Sequence, residues 1–136
     1  MAEFEKHYRK ITDWHAKVFG ISVDTVEENK KLKSDLSLSF EIISDKNRKV
    51  IKDWHILNTR ERGGIAYPNL YILNSQREII FHSSDRLASR ADISIMLDFM
   101  IEYSKNPEHR FFNTTRKMQS ITFKDFIMAF PRRFFG

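Results

Sequence analysis

The chain has 136 residues, 41% apolar and 30% charged, with 23 Lys and Arg against 18 Asp and Glu and a formal net charge of +5. That balance fits one globular domain with its own core and excludes a disordered, collagen-like or low-complexity chain. There is no cysteine, which excludes a disulfide framework, a thiolate metal site and thiol chemistry in these residues.

Phe4, Tyr8, Ile11 and Trp14 or His15 recur at helical spacing, with Lys6, Arg9, Lys10 and Asp13 between them, which predicts an opening amphipathic helix. Residues 18–23 are a short apolar run of buried-strand type. Asp24 or Thr25 then caps a helix that runs to about Leu36, with Glu27 and Glu28 in its first turn, where the helix dipole favours acids. A second strand is predicted at 40–43, after which Asp45 can cap a short helix with Val50, Ile51 and Trp54 as its apolar positions. Residues 58–64 are polar and end in glycine, as a loop does. Strands at 70–73 and 78–81 flank the four residues 74–77 and predict a β-hairpin. Residues 91–103 form a helix with Ile93, Met96, Leu97, Phe99 and Met100 on a wide apolar face, stopped by Pro107.

Strands separated by helices lie parallel in one sheet covered on both faces, so this order predicts an α/β domain whose hairpin adds an antiparallel edge. The composition shifts after Ser104. Residues 1–104 therefore read as the α/β unit and 105–136 as a basic, Phe-rich extension, in which Arg110, Arg116, Lys117, Lys124, Arg132 and Arg133 interleave with phenylalanines. Ile121, Phe123, Phe126, Ile127, Phe130 and Phe134 fit an amphipathic helix there. No apolar run reaches membrane-spanning length and the first twenty residues are charged, so a cytoplasmic protein is expected.

Three stretches carry a resemblance to a known family. They are Val18-Phe19-Gly20-Ile21-Ser22-Val23-Asp24, Leu38-Ser39-Phe40-Glu41-Ile42-Ile43-Ser44-Asp45, and Gly64-Ile65-Ala66-Tyr67-Pro68-Asn69-Leu70-Tyr71-Ile72-Leu73-Asn74. In this order and spacing they resemble the peroxiredoxins of the alkyl hydroperoxide reductase and thiol-specific antioxidant type. The resemblance implies a thioredoxin-like mixed sheet flanked by helices, incomplete at its N-terminus, since Met1 would fall just beyond the family's active-site loop. It also implies thiol-dependent hydroperoxide reduction as the family activity, with no cofactor.

Such a reaction uses one thiolate at a helix N-terminus, its pKa lowered by the dipole and a nearby Arg. This chain has neither the cysteine nor the Pro-x-x-x-Thr/Ser-x-x-Cys loop that would carry it, and Tyr67 stands where the family often has the Arg. No catalytic residue is assigned, and catalysis is expected to be absent. Tyr67 and Pro68 are what the resemblance leaves of the active-site loop. Pro68 is either a cis-proline, as thioredoxin-like folds imply, or a residue that opens an edge strand where no amide donor is needed. The resemblance further implies that a central strand belongs between 18–23 and 70–73. Without it the chain is expected to fold poorly, to pair those two strands directly, or to borrow a strand from a partner.

Other constellations are weaker. His7, His15, His55, His82 and His109 have no metal-ligand spacing, and no phosphate loop or nucleophile elbow occurs. Ile11-Thr12-Asp13-Trp14-His15 is similar to Ile51-Lys52-Asp53-Trp54-His55, a likeness read as coincidence. Candidate binding residues are Arg110, Arg116, Lys117, Lys124, Phe126, Phe130, Arg132 and Arg133. Phe126 and Phe130 are expected to pack back on the domain or on a second subunit, the partner then being a second copy or another peroxiredoxin-like chain. Nucleic acid and a membrane surface, which basic residues with interleaved aromatics can also bind, are the less favoured partners.

Overall fold

The computed structural model describes residues 1–61, 63–84, 93–107 and 112–115. The opening helix is two short ones, α1 (Ala2–Lys6) and α2 (Tyr8–Asp13), broken at His7, whose φ of −107° and ψ of 5° leave the helical well. Phe4 and Tyr8 nevertheless meet the same ring, Phe40, at centroid distances of 6.5 and 6.1 Å. The Glu5 carboxylate accepts from both the Ser39 amide and its hydroxyl, at 2.7 and 2.6 Å, and so ties α1 to the approach to the second strand.

A parallel βαβ unit follows. β1 (Phe19–Ser22) pairs with β2 (Glu41–Ser44) in the register Gly20↔Ile42 and Ile21↔Ile43, joined by α3 (Val26–Asp35). Of the two candidates Asp24 and Thr25, it is Thr25 that caps α3, and Glu28 returns the bond to the Thr25 amide, completing a capping box. Asp45 acts at the next helix, α4 (Lys49–Asp53), from three residues ahead of the N-cap Arg48: its buried carboxylate accepts from the Lys49 and Ile51 amides at 2.8 and 3.0 Å.

The repeated pentapeptide takes the same local structure in both places. In both copies the isoleucine is buried, at 4% exposure for Ile11 and 1% for Ile51. Trp14 and Trp54 are the C-caps of α2 and α4, and His15 and His55 follow in the left-handed region at φ 58° and 55°. Each word anchors a helix by its Ile and ends it through one left-handed residue, the role usually taken by glycine.

β3 (Leu57–Asn58) and β4 (Ile65–Ala66) form a short antiparallel ladder around the predicted loop. The hairpin is present as β5 (Asn69–Leu73) and β6 (Ile79–Ser84), with a register shift between Ile72 and Leu73. Its strand β5 is an edge among the described residues, whereas β6 is central, because β7 (Phe112–Thr115), from the segment read as an extension, pairs parallel with β6. α5 (Ile93–Lys105) covers this sheet, and Ile80, Phe81, Ile93, Met96, Phe99 and Met100 form the core with Ile11.

Among the described residues the single sheet expected from the element order does not form. The described strands fall into three separate ladders, β1-β2, β3-β4 and β5-β6-β7. β1 and β5 are not paired with each other, yet Val18, just before β1, and Leu70 and Ile72 of β5 pack on the same core. The direct pairing of these two strands is thereby excluded.

Candidate functional site

The side chains of β5 and β6 alternate across their sheet. Leu70, Ile72 and Phe81 turn toward α5, and the opposite face carries Asn69, Tyr71 and His82. Tyr71 and His82 are directly opposed across the ladder, and their rings stack at 4.4 Å with planes 3° apart. Trp54, placed by the end of α4, meets Tyr71 at 4.5 Å with the ring planes at 89°. His82 Nε2 donates to Asn69 Oδ1 at 2.8 Å, the Asn69 amide donates to the Tyr67 carbonyl at 2.8 Å, and the Tyr67 amide donates to the Ile56 carbonyl at 2.8 Å. Backbone and side chains thus fix the array from both sides.

Two adjoining hollows open on these rings. The larger, about 430 Å³, is lined by Asp53, Trp54, His55, Tyr71, Ile79 and His82. The smaller, about 120 Å³, reaches Tyr67 and Ser84. Burial pushes the His82 pKa below the usual histidine value and the Tyr71 pKa above the usual phenol value, so both rings are neutral at pH 7. The site is therefore an aromatic hollow with one acid, Asp53, in its wall.

The two residues assigned to the remnant loop lie beside this hollow. Tyr67 lines the smaller part, and Pro68 precedes β5, where its missing amide costs no ladder bond. The Tyr67–Pro68 peptide bond is trans, as are all those of the described residues, so the cis-proline alternative is set aside. Arg110, Arg116, Lys117, Lys124, Phe126, Phe130, Arg132 and Arg133, with the predicted C-terminal helix, lie outside the described residues. No group of three or more His, Asp or Glu side chains among the described residues is placed to hold a metal ion, and no helix there is long and apolar enough to cross a membrane. The sequence reading assigns none of Trp54, Asn69, Tyr71 and His82 to a site. The available signal was the period-two alternation of Asn69 and Tyr71 against Leu70 and Ile72.

A mixed sheet carrying helices, with a parallel βαβ unit followed by a hairpin, defines the peroxiredoxin form of the thioredoxin-like fold, and solved structures agree. AhpC of Mycobacterium tuberculosis superposes with a TM-score of 0.66 at 23% identity, covering 79% of this chain and 60% of that one. AhpC of Enterococcus faecalis gives 0.69 at 15% identity over 79% and 66% of the two chains. The mitochondrial 2-Cys peroxiredoxin of Plasmodium falciparum gives 0.66 at 20% identity over 79% and 68%. The chain thus spans about 60% of the length of the mycobacterial AhpC. A sequence model of the AhpC/TSA family matches residues 1–82, and the chain belongs to that family. No curated protein matches it.

Proposed function

We propose that this chain is a non-catalytic peroxiredoxin-fold module that works by pairing with another peroxiredoxin-like chain. The observation that carries the reading is the combination of a thiol-peroxidase family with a chain of no cysteine. Hydroperoxide reduction needs a thiolate whose sulfur attacks the O–O bond, keeping one oxygen as a sulfenic acid and releasing an alcohol or water. No other side chain in the sequence can form that intermediate.

The strand edges support the partner half of the reading. β1 (Phe-Gly-Ile-Ser) and β5 (Asn-Leu-Tyr-Ile-Leu) each keep one side unpaired among the described residues, and neither holds a charge or a proline. Charges and prolines are the devices by which natural edges resist pairing. β2, in contrast, carries Glu41. On β1, Phe19 is 58% and Ile21 41% exposed, so apolar side chains accompany the open backbone. Strand addition from a second chain would cover both. In this reading the protein is cytoplasmic and any antioxidant activity belongs to the partner.

The test has two parts. Hydrogen peroxide and an organic hydroperoxide are supplied with dithiothreitol, and consumption is expected to match the protein-free rate; sustained turnover would overturn the non-catalytic half. The chain is then mixed with an intact AhpC-type peroxiredoxin and its mass in solution measured. A self-assembly or a mixed assembly is expected, and a lone monomer under both conditions would overturn the other half. The Lys, Arg and Phe residues from Arg110 to Arg133 favour a second reading, contact with nucleic acid or anionic lipid. That contact would weaken steeply with added salt, whereas an apolar strand contact would not.

A further inference from the structure

We propose that residues 123–130 of this chain dock as a short helix on the face of the β5-β6 hairpin that lies opposite α5. That face is the unfinished side of the sheet. Leu70, Ile72 and Phe81 pack into the core with α5, whereas Leu73 and its ladder partner Ile79 on the other side are 45% and 41% exposed. Trp54, which shares the hollow with Ile79, is 39% exposed. Large apolar side chains grouped in this way mark a contact surface, unlike apolar residues scattered singly.

The chain's own sequence supplies the occupant. Phe123, Phe126, Ile127 and Phe130 follow at i, i+3, i+4 and i+7, one face of a helix, with Thr122 and Asp125 in a capping-box pattern ahead of it and Pro131 behind it. So short a helix does not persist alone in water, and it forms where its apolar stripe finds a surface. The connection is long enough. β7 ends at Thr115 in register with Ser84, and Ser84 lines the smaller hollow on this same face. Residues 116–122 extend up to about 23 Å, whereas β5 lies two strand spacings, about 10 Å, from β7. Charge agrees as well: residues 116–136 carry Arg116, Lys117, Lys124, Arg132 and Arg133 against the single acid Asp125, and Asp53 is the acid in the wall of the hollow. Docking here leaves the backbone edges of β1 and β5 open, so it stands independently of the pairing proposed above.

Because the chain has no cysteine, one introduced thiol can be labelled alone. Met128→Cys, on the side of the helix away from the stripe, carries a nitroxide in the full chain, and amide peaks are compared before and after the nitroxide is reduced with ascorbate. Tyr71, Leu73 and Ile79 are expected to lose most of their intensity while the label is paramagnetic, and the amides of α3 to keep theirs. Adding Phe126→Asp and Phe130→Asp should restore the hairpin peaks without moving those of α5, which reports that the core is intact. Full intensity at the hairpin in the labelled parent would overturn the proposal, as would a loss that survives both aspartates. A mixture of spin-labelled chain at natural abundance with unlabelled chain enriched in nitrogen-15 identifies whose segment is bound. Broadening confined to single chains is expected, and broadening in the mixture would assign the face to a second copy and overturn docking within one chain.

Discussion

His82 Nε2 lies 2.8 Å from Asn69 Oδ1, and because the Asn69 amide already donates to the Tyr67 carbonyl, the His82 ring must be the donor. Its other nitrogen needs no proton to keep this bond, and burial disfavours the charged ring, so the folded pKa falls below 6.5. Between that depressed value and 6.5 the unfolded chain binds the proton that the folded chain refuses. Stability from this site is therefore fully present above about pH 6.5 and declines as the pH falls below it. His82→Gln keeps an N–H donor and removes the titration. Melting temperatures followed from neutral to mildly acidic pH should fall less steeply in the variant than in the parent. Parallel curves would mean that His82 does not set this window.

Asp45 is expected to be the most sensitive acid in the chain. It is 6% exposed, and its two oxygens each accept a backbone amide, one from Lys49 and one from Ile51. Asp45→Ala leaves both amides without their acceptor and frees the helix that ends in Trp54, so the loss should be about 2 kcal/mol in denaturant unfolding. Asp45→Asn retains one acceptor oxygen and should lose less. Hydrogen exchange at Lys49 and Ile51 should accelerate in both variants, and unchanged protection there would contradict the capping role.

The sequence made the βαβ unit, a cap at Asp24 or Thr25 and the hairpin legible, because each is written in neighbouring residues. The aromatic hollow was not, for a reason visible in the hairpin. A regular four-residue turn at 74–77 sets Tyr71 opposite Ile80. In the structure Leu73 pairs with Ile79, and the shift between Ile72 and Leu73 then brings Tyr71 to His82. A bulge of one residue changes which side chains share a face, and nothing in the local pattern announces it. The same shift lets the consecutive Ile80 and Phe81 both be buried, at 6% and 0% exposure. The separation of the β1-β2 ladder from β5-β6-β7 was likewise beyond local pattern, since strand order is decided by tertiary packing. The resemblance to a family, rather than the periodicity, raised the expectation of a gap there.

Two glycines should respond differently to the same substitution. Gly64 has φ of +104°, and a Cβ there would lie 3.2 Å from Leu57 Cδ1 and 3.3 Å from Arg48 Nε, the atom that donates to the Gly64 carbonyl. Gly64→Ala is expected to destabilise by about 1–3 kcal/mol through backbone strain and displacement of that bond. At Gly20 the clash is nominally closer, 2.6 Å, but its partner is the methyl end of Met1, which can swing away. Gly20→Ala also reduces the freedom of the unfolded chain, so its effect should stay within about 1 kcal/mol of the parent. Comparable losses in both variants would show that crowding, rather than φ, governs the two positions.

Thr25 and Glu28 should behave as one unit. The Thr25 hydroxyl accepts from the Glu28 amide at 3.2 Å, and Glu28 Oε2 accepts from the Thr25 amide and hydroxyl, both at 2.8 Å. These two bonds, the amide first, hold the Glu28 pKa below 4.5, so the folded carboxylate keeps its charge where the unfolded one gains a proton. The stabilisation is present above 4.5 and is lost as the pH falls through the lower folded value. Thr25→Ala should lower stability by about 1 kcal/mol at neutral pH. Adding Glu28→Ala should then cost much less than it does in the parent, because its partners are already gone. A double-mutant cycle measured at neutral pH and again in acid checks both statements: the coupling should shrink as Glu28 protonates, and additive losses at neutral pH would break the link between the two residues.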